Sequence, residues 1–148
     1  MRILSALLLL LCLGGTTGCY ARARVGPRAQ ARMGPLLDWQ NQHPEAAREI
    51  CAWTDSNPGA ASELLGWEAS HRGKAHELVA FAAANPAVGV GAFLETHRNA
   101  AGFDFVAQQH PPQAAQLYDW AARHPAAADA LLETPHALKF LSRHPRCG

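Results

Sequence analysis

The sequence has almost no net charge and few charged side chains. Thirteen Lys and Arg stand against twelve Asp and Glu in 148 residues, which gives a formal net charge of +1. A dedicated nucleic-acid binder needs a marked basic excess, so this class is excluded. The chain also lacks the HExxH, paired CxxC, GxSxG and phosphate-loop patterns of common catalytic and cofactor sites. We therefore expect a protein that is not an enzyme.

The sequence also lacks an apolar run long enough for a comfortable transmembrane helix. The run from Leu7 to Leu13 follows a positive start at Arg2 and is followed by small residues. A positive start, a short apolar run and small residues are typical of an export signal. The run leads into Thr16-Thr17-Gly18-Cys19, which resembles the lipobox of bacterial lipoproteins; Thr16 departs from the aliphatic residue usual in that family.

This resemblance implies that residues 1–18 are a lipoprotein signal peptide and that Cys19 carries the lipid. It also implies a place in the bacterial cell envelope. An outer membrane is favoured over an inner one, because Tyr20 stands where lipoproteins kept at the inner membrane often have Asp. The alternative is ordinary signal cleavage after Ala21-Arg22-Ala23, which would leave a soluble secreted helical protein.

Only four cysteines are present, and two of them belong to the first 19 residues. The other two, Cys51 and Cys147, would lie in a compartment that permits disulfides, so one bridge between them is possible. The alternatives are two free thiols or a bond from Cys147 to another chain. A bridge would require the Cα atoms to lie within about 7 Å, and it would therefore force a curled fold instead of a straight array.

A basic segment without acids separates the signal from the rest of the chain. Residues 19–35 are predicted to be the lipidated Cys followed by a flexible tether. Next to anionic headgroups, its arginines could add to membrane attachment, or they could serve only to keep the linker soluble. They are Arg22, Arg24, Arg28 and Arg32.

Residues 36–148 contain a repeat of about fourteen residues. Three consecutive blocks begin at Leu36, Ile50 and Leu64, and each has Trp at its fourth position. Aromatic or apolar residues continue this position along the chain, and His or Asn follows four residues later, with Pro next in six of eight cases. Pro favours the first position of a helix, and the residue before it is driven out of the helical region. The pattern predicts an all-α domain of seven or eight short antiparallel helices, arranged as an irregular solenoid or a curled bundle.

Each repeat is predicted to be a helix of ten or eleven residues followed by a turn of three or four residues. The His or Asn side chain is expected to cap the start of the next helix. The Trp and Phe residues are expected to form the core. The Gly-containing stretch from Val88 to Gly91 is where the chain is expected to bend.

If consecutive helices alternate in direction, one edge of the array receives a row of histidines: His43, His71, His97 and His124. The sequence therefore predicts a membrane-anchored, non-catalytic protein-interaction or structural module with an unidentified protein partner and no cofactor. The alternative is haem, metal or anion binding by the histidine row, in which case haem or zinc would be the cofactor.

Overall fold

The computed structural model describes residues 27–97 and 100–143, and the regular structure in these ranges is entirely helical. The nine helices found there are α1 (Pro27–Gln42), α2 (Pro44–Ser56), α3 (Pro58–Ser70), α4 (Arg72–Ala84), α5 (Gly89–Thr96), α6 (Phe103–Gln109), α7 (Pro111–Arg123), α8 (Pro125–Glu133) and α9 (Ala137–Arg143). The all-α prediction is confirmed, with nine helices where seven or eight were expected.

Two helices depart from the predicted repeat: α1 begins earlier than expected, and the last unit, which contains Phe140, is divided into α8 and α9. Helix α1 begins at Pro27, within the segment 19–35 predicted as a flexible tether, because Pro suits a first helical position and the following Ala, Gln and Arg favour helix. Helix α9 arises because Thr134 ends α8 and a turn follows it. The Thr134 backbone N–H and side-chain hydroxyl both donate to the carbonyl of Ala130, at 3.0 and 2.7 Å.

Adjacent helices are separated by a single residue at five places, so the predicted three- or four-residue turns are wrong there. These joint residues are His43, Asn57, His71, His110 and His124, with φ between −133° and −126° and ψ between 46° and 59°. Four of the five precede Pro, which drives the preceding residue out of the helical region. The carbonyl of each joint residue still accepts a hydrogen bond from the N–H four residues later, at 2.8 to 3.0 Å.

The prediction that joint side chains cap the following helix is wrong, since none of the five makes such a hydrogen bond. Two of the five instead bond to the preceding helix, as do Asn85 and His97 at the ends of α4 and α5. The amide nitrogens of Asn57 and Asn85 donate to the carbonyls of Trp53 and Phe81, both at 3.0 Å. The rings of His71 and His97 bond in the same way to the carbonyls four residues earlier, at 3.0 and 3.1 Å.

The helices pack into a curled bundle in which the main partners are distant in sequence. The most extensive contacts are between α3 and α9 and between α4 and the pair α7 and α8, while α1 also contacts α8 and α9. A straight solenoid would keep the first and last helices apart, so the curled alternative is the one observed. The chain turns back after α4, where Gly89 takes a φ of 73° and Tyr118 Oη donates to the carbonyl of Asn85 at 2.7 Å.

After this turn, joints of the second half face joints of the first half in reverse order. Trp39 Nε1 donates to the carbonyl of Ala127 at 2.9 Å, and Trp120 Nε1 donates to that of Ala46 at 3.1 Å. The acceptor of each bond lies three residues after a joint of the other half. Ala127 follows His124, and Ala46 follows His43. Helices α2 and α7 therefore run antiparallel, although they are distant in the sequence.

The second and third pairs continue this order. Trp53 Nε1 donates to Gln116 Oε1 at 3.1 Å, and Gln113 Nε2 donates to Asn57 Oδ1 at 3.2 Å, which joins α2 and α3 to α7. Trp67 Nε1 donates to the carbonyl of Ala101 at 2.9 Å. The tryptophans predicted as core therefore also fasten one half of the bundle to the other.

The core is made of these aromatic residues, leucines and many alanines. Trp39, Trp67, Phe93 and Trp120 are buried, whereas Trp53, Phe81, Val106 and Phe140 are partly buried against the core. Small alanine side chains at the contacts let helix backbones approach one another closely.

Candidate functional site

A groove of about 370 Å³ opens to solvent between the joints at His43 and His124, the first and the last of the five. It is lined by His43, Pro44, Glu45, Ala46, Arg123, His124, Pro125, Ala126 and Ala127. The lining comes from the two segments whose tryptophans exchange hydrogen bonds, which are also two of the most similar stretches of the repeat. The groove thus forms because the chain turns back after α4, and residues at equivalent positions of the repeat lie on its two sides.

The structure divides the four predicted ligand histidines into two pairs with different roles. The rings of His71 and His97 stack on Trp67 and Phe93, with interplanar angles of 18° in both cases, and their Nδ1 atoms are occupied by backbone carbonyls. A carbonyl accepts only from a protonated nitrogen, so these rings carry hydrogen on Nδ1. This pair therefore caps the C-terminal ends of helices α3 and α5.

The other pair, His43 and His124, lines the groove. Their rings are tilted by 45° and 48° to the tryptophans four residues earlier, and neither bonds back to its own helix. His124 Nε2 lies 3.2 Å from Glu49 Oε2, whereas the ring of His43 forms no hydrogen bond with the described residues. The single row predicted along one edge is therefore two separate pairs, and one pair borders the groove.

Glu49 connects the groove to helix α2. Its carboxylate accepts from Arg123 Nη1 and faces His124, so one acid meets two basic side chains of the opposite half. Partial burial works to raise the pKa of Glu49, but the hydrogen bonds from Arg123 and His124 outweigh it and hold that pKa below its usual value. This side of the groove is therefore fixed by a charged cluster.

A second histidine cluster, which the sequence does not predict, joins α4 to α8. His76 Nδ1 lies 3.0 Å from Asp129 Oδ1, and its Nε2 lies 2.7 Å from Glu133 Oε1. Both carboxylates can accept a hydrogen bond only when the ring carries hydrogen on both nitrogens, so this arrangement favours the imidazolium form of His76. Hydrogen bonding to Asp129 raises the pKa of His76 above its usual value, and Glu133 adds to the effect against partial desolvation. The signal in the sequence is the spacing of Asp129 and Glu133, which places both on one face of α8.

A buried acid is the other residue that the sequence patterns do not predict. Glu68 is only 7% exposed, and no hydrogen bond or ion pair joins its carboxyl group to another residue of the described ranges. It directly follows Trp67, and most of the equivalent repeat positions are small or apolar: Thr54, Ala82, Ala107, Ala121 and Leu141 are buried, and Gln40 and Leu94 are half-buried. Aligning this position along the repeat would have marked Glu68 as an acid at a core position.

The remaining predicted residues lie mostly outside the described ranges. Cys19, Arg22, Arg24 and Cys147 fall outside, and the side chains of Arg28 and Arg32 are not among those described. Cys51 lies half-buried on α2 and is disulfide-bonded. Since residues 27–143 contain no other cysteine, its partner is also outside the described ranges, and the pairing with Cys147 stays a prediction.

Within the part of the chain that is described, no group of three or more His, Cys, Asp or Glu is arranged to hold a metal ion. The same residues contain no helix that is long and apolar enough to cross a membrane. No family model, curated protein or solved structure matches this chain.

Proposed function

We propose that this protein is an exported lipoprotein whose helical body acts without catalysis, as a protein-interaction or structural module of the bacterial cell envelope. The anchor is argued from the sequence alone, on the export-type segment that ends in Gly18 and Cys19. The body is argued from the structure. The one observation that carries it is that the recurring residues serve the fold: joint side chains end helices, and indole N–H groups fasten the two halves.

Metabolic labelling with a fatty acid tests the anchor in bacteria that express the full chain. We expect label on the wild-type chain and its recovery in the membrane fraction, both lost in Cys19→Ser. The Cys51→Ser variant is the matched control and should keep both. Label that persists in Cys19→Ser, or a mature chain that begins after Ala23 in the soluble fraction, would contradict the proposal.

Phe105 is the place to test an interaction surface. It is 67% exposed, the largest value among the exposed large apolar side chains described. A photo-crosslinking phenylalanine analogue at position 105 should give a discrete adduct in intact cells. The same analogue at Ala83, an exposed position on α4, is the control. Equal labelling at both positions would contradict a dedicated contact surface at Phe105.

The groove supports ligand capture as a second candidate function. His43 and His124 border it from opposite sides, and imidazole nitrogens bind haem iron and zinc. Titration with haemin and with zinc tests this directly. Saturable binding that is lost in a His43→Asn/His124→Asn variant, but kept in His71→Asn/His97→Asn, would support the groove as the site. Equal binding by both double variants would exclude it.

A further inference from the structure

The boundary between helices α1–α4 and helices α5–α9, which we call the seam, is crossed by side-chain bonds along its length. The indole N–H groups of the four tryptophans all donate across it. Among the ion pairs of the described residues, only that between Lys74 and Glu77 lies within one half. Every histidine–carboxylate pair found there therefore crosses the seam. The two halves are thus held partly by groups of a kind that changes charge near neutral pH.

Three histidines supply these pairs, one from the first half and two from joints of the second half. They are His76 with Asp129 and Glu133, His110 with Glu63, and His124 with Glu49, at nitrogen–oxygen distances of 2.7 to 3.2 Å. The three side chains are between 18% and 34% exposed, so solvent screens these pairs less than it screens pairs in which both partners are fully exposed. A charged ring at each place would attract the opposite half, and a neutral ring would do so only weakly.

His110 illustrates how closely these groups face each other. Its Nε2 atom is shielded from solvent and forms no hydrogen bond with the described residues. The same atom lies 3.2 Å from Glu63 Oε2. A lone pair on this nitrogen would face a carboxylate, whereas an N–H would be attracted to it, so hydrogen on Nε2 is favoured. A positive charge on the ring would strengthen that attraction across the seam.

Two other basic groups modify the pair between His124 and Glu49. Arg123 shares this carboxylate and is charged at every pH, so this pair contributes less to a pH dependence than the other two. His43, on the other side of the groove, would repel His124 when both rings are charged. The remaining charged or titratable side chains of the described residues form no ion pair or hydrogen bond with the three histidines. They are Asp38 on α1; Glu45, Arg48 and Asp55 on α2; Glu68 on α3 and His71 after it; Arg72, Lys74 and Glu77 on α4; Glu95 on α5 and His97 after it; Asp104 on α6; Tyr118 and Asp119 on α7; and His136, Lys139 and Arg143 at or on α9.

We propose that the seam is a pH-sensitive closure, which holds the two halves together more tightly in acid, where His76, His110 and His124 are charged, than above neutral pH. The bonds to Asp129 and Glu133 raise the pKa of His76 above its usual value, which favours its charged form in the folded state. Its contribution is therefore complete in acid and is lost as pH rises through the folded pKa. The two sides of the groove belong to different halves, so opening of the seam would take the groove apart.

Hydrogen–deuterium exchange of the buried indole N–H groups of Trp39 and Trp120, followed by NMR, reports opening of the seam, because both groups bond across it. Rates are measured from pH 5.5 to 8.5 in the purified wild type and in His76→Gln/His110→Asn/His124→Asn. The rate in the variant is divided by that in the wild type at the same pH, which cancels the intrinsic pH dependence of exchange. We expect a ratio of about ten at pH 5.5 that falls toward one at pH 8.5, since three partly exposed pairs contribute about two- to threefold each.

The matched control is His71→Asn, because the ring of His71 bonds to Trp67 within its own half and Asn serves at the equivalent joint before α3. Its ratio to the wild type should not vary with pH. Backbone amides inside α3 and α7, such as those of Leu64 and Leu117, separate opening of the seam from global unfolding, and their protection should change less than that of the indoles. Parallel changes in the indoles and these amides, or a ratio that stays flat from pH 5.5 to 8.5, would overturn the closure.

A second variant removes the acids and leaves the histidines in place, so it provides the same comparison if the histidine variant does not fold. In Glu63→Gln/Asp129→Asn/Glu133→Gln, we expect the indoles to lose protection in acid and to exchange as in the wild type at pH 8.5. Full protection in acid that persists in this variant would assign the effect to other groups and refute the proposal.

Discussion

Replacing Trp120 with phenylalanine removes the indole N–H that donates to the carbonyl of Ala46 and keeps an aromatic ring in the core. The lost hydrogen bond is worth about 1 kcal/mol, and the smaller ring leaves unfilled space that costs about 1–2 kcal/mol more. We expect the free energy of unfolding to fall by about 2–3 kcal/mol. Trp39→Phe should have a similar cost, because Trp39 makes the reciprocal bond to Ala127 and is equally buried.

The double variant tests whether the two tryptophans act as one fastening. Both bonds hold the same pair of joints, so the first substitution should loosen the environment of the second. We expect the double variant to cost at least about 0.5 kcal/mol less than the sum of the single variants. Urea unfolding followed by far-ultraviolet circular dichroism measures all three, since it does not depend on the tryptophan signal.

Trp53→Phe is the matched control for this experiment. Its indole N–H donates to the side chain of Gln116 at an exposed site, where the loss of a hydrogen bond is offset by water. We expect a cost clearly below that of Trp120→Phe. An equal cost at Trp53, or strict additivity of Trp39→Phe and Trp120→Phe, would refute the role assigned to the reciprocal bonds.

Three further predictions each concern a single residue. Because the pKa of His76 is raised in the folded state, its contribution is fully present below about pH 6.5 and is lost as pH rises through the folded pKa. His76→Gln should therefore remove a stability difference between pH 6 and pH 9 of at most about 1 kcal/mol, since Asp129 and Glu133 are largely exposed. Asn57→Ala should lower the free energy of unfolding by about 1 kcal/mol, because it removes the hydrogen bonds to the carbonyl of Trp53 and from Gln113. Gly89→Ala should cost about 1 kcal/mol, since φ at this position is 73° and the strain does not depend on space.

Each of these predictions has a control variant that tests the cause assigned to it. His136→Asn removes an exposed histidine while suiting its positive φ, and it should leave the pH dependence unchanged. Ser56→Ala, beside Asn57 but exposed, should change stability by less than about 0.5 kcal/mol. Gly91→Ala lies within helix α5 with open space around it, so it should stabilise by about 0.5–1 kcal/mol. Thermal unfolding of the variants would contradict the reasoning if Gly89→Ala and Gly91→Ala shifted stability in the same direction.

Local rules account for the parts of the fold that the sequence predicts. The Trp, His or Asn, and Pro positions repeat within fourteen residues, so propensity and proline geometry are enough to place α2, α3, α7 and α8. Joint side chains were assigned to the wrong helix because the same residue ends one helix and begins the next. Backbone angles, which the pattern does not show, decide which carbonyl or N–H the side chain reaches.

The arrangement around the groove depends on long-range pairing and could not be predicted locally. His43 and His124 are brought together because the chain turns back after Asn85, which only tertiary packing reveals. The cluster around His76 could not be predicted from the repeat either, because its acidic partners lie 53 and 57 residues away. Glu68 is different, because comparing equivalent repeat positions would have placed it in the core.

The reverse order in which the joints face one another also sets an order for folding. The indole bonds of Trp67, Trp53 and Trp39 span 34, 63 and 88 residues, so each encloses the one before it. Closing the shortest loop first carries the smallest entropic cost, and every later closure then adds only a short segment on each side. Loop-closure entropy therefore favours formation of these three bonds outward from the middle of the chain. We expect the bond between Trp39 and Ala127 to be the last of the three to close and the first to open.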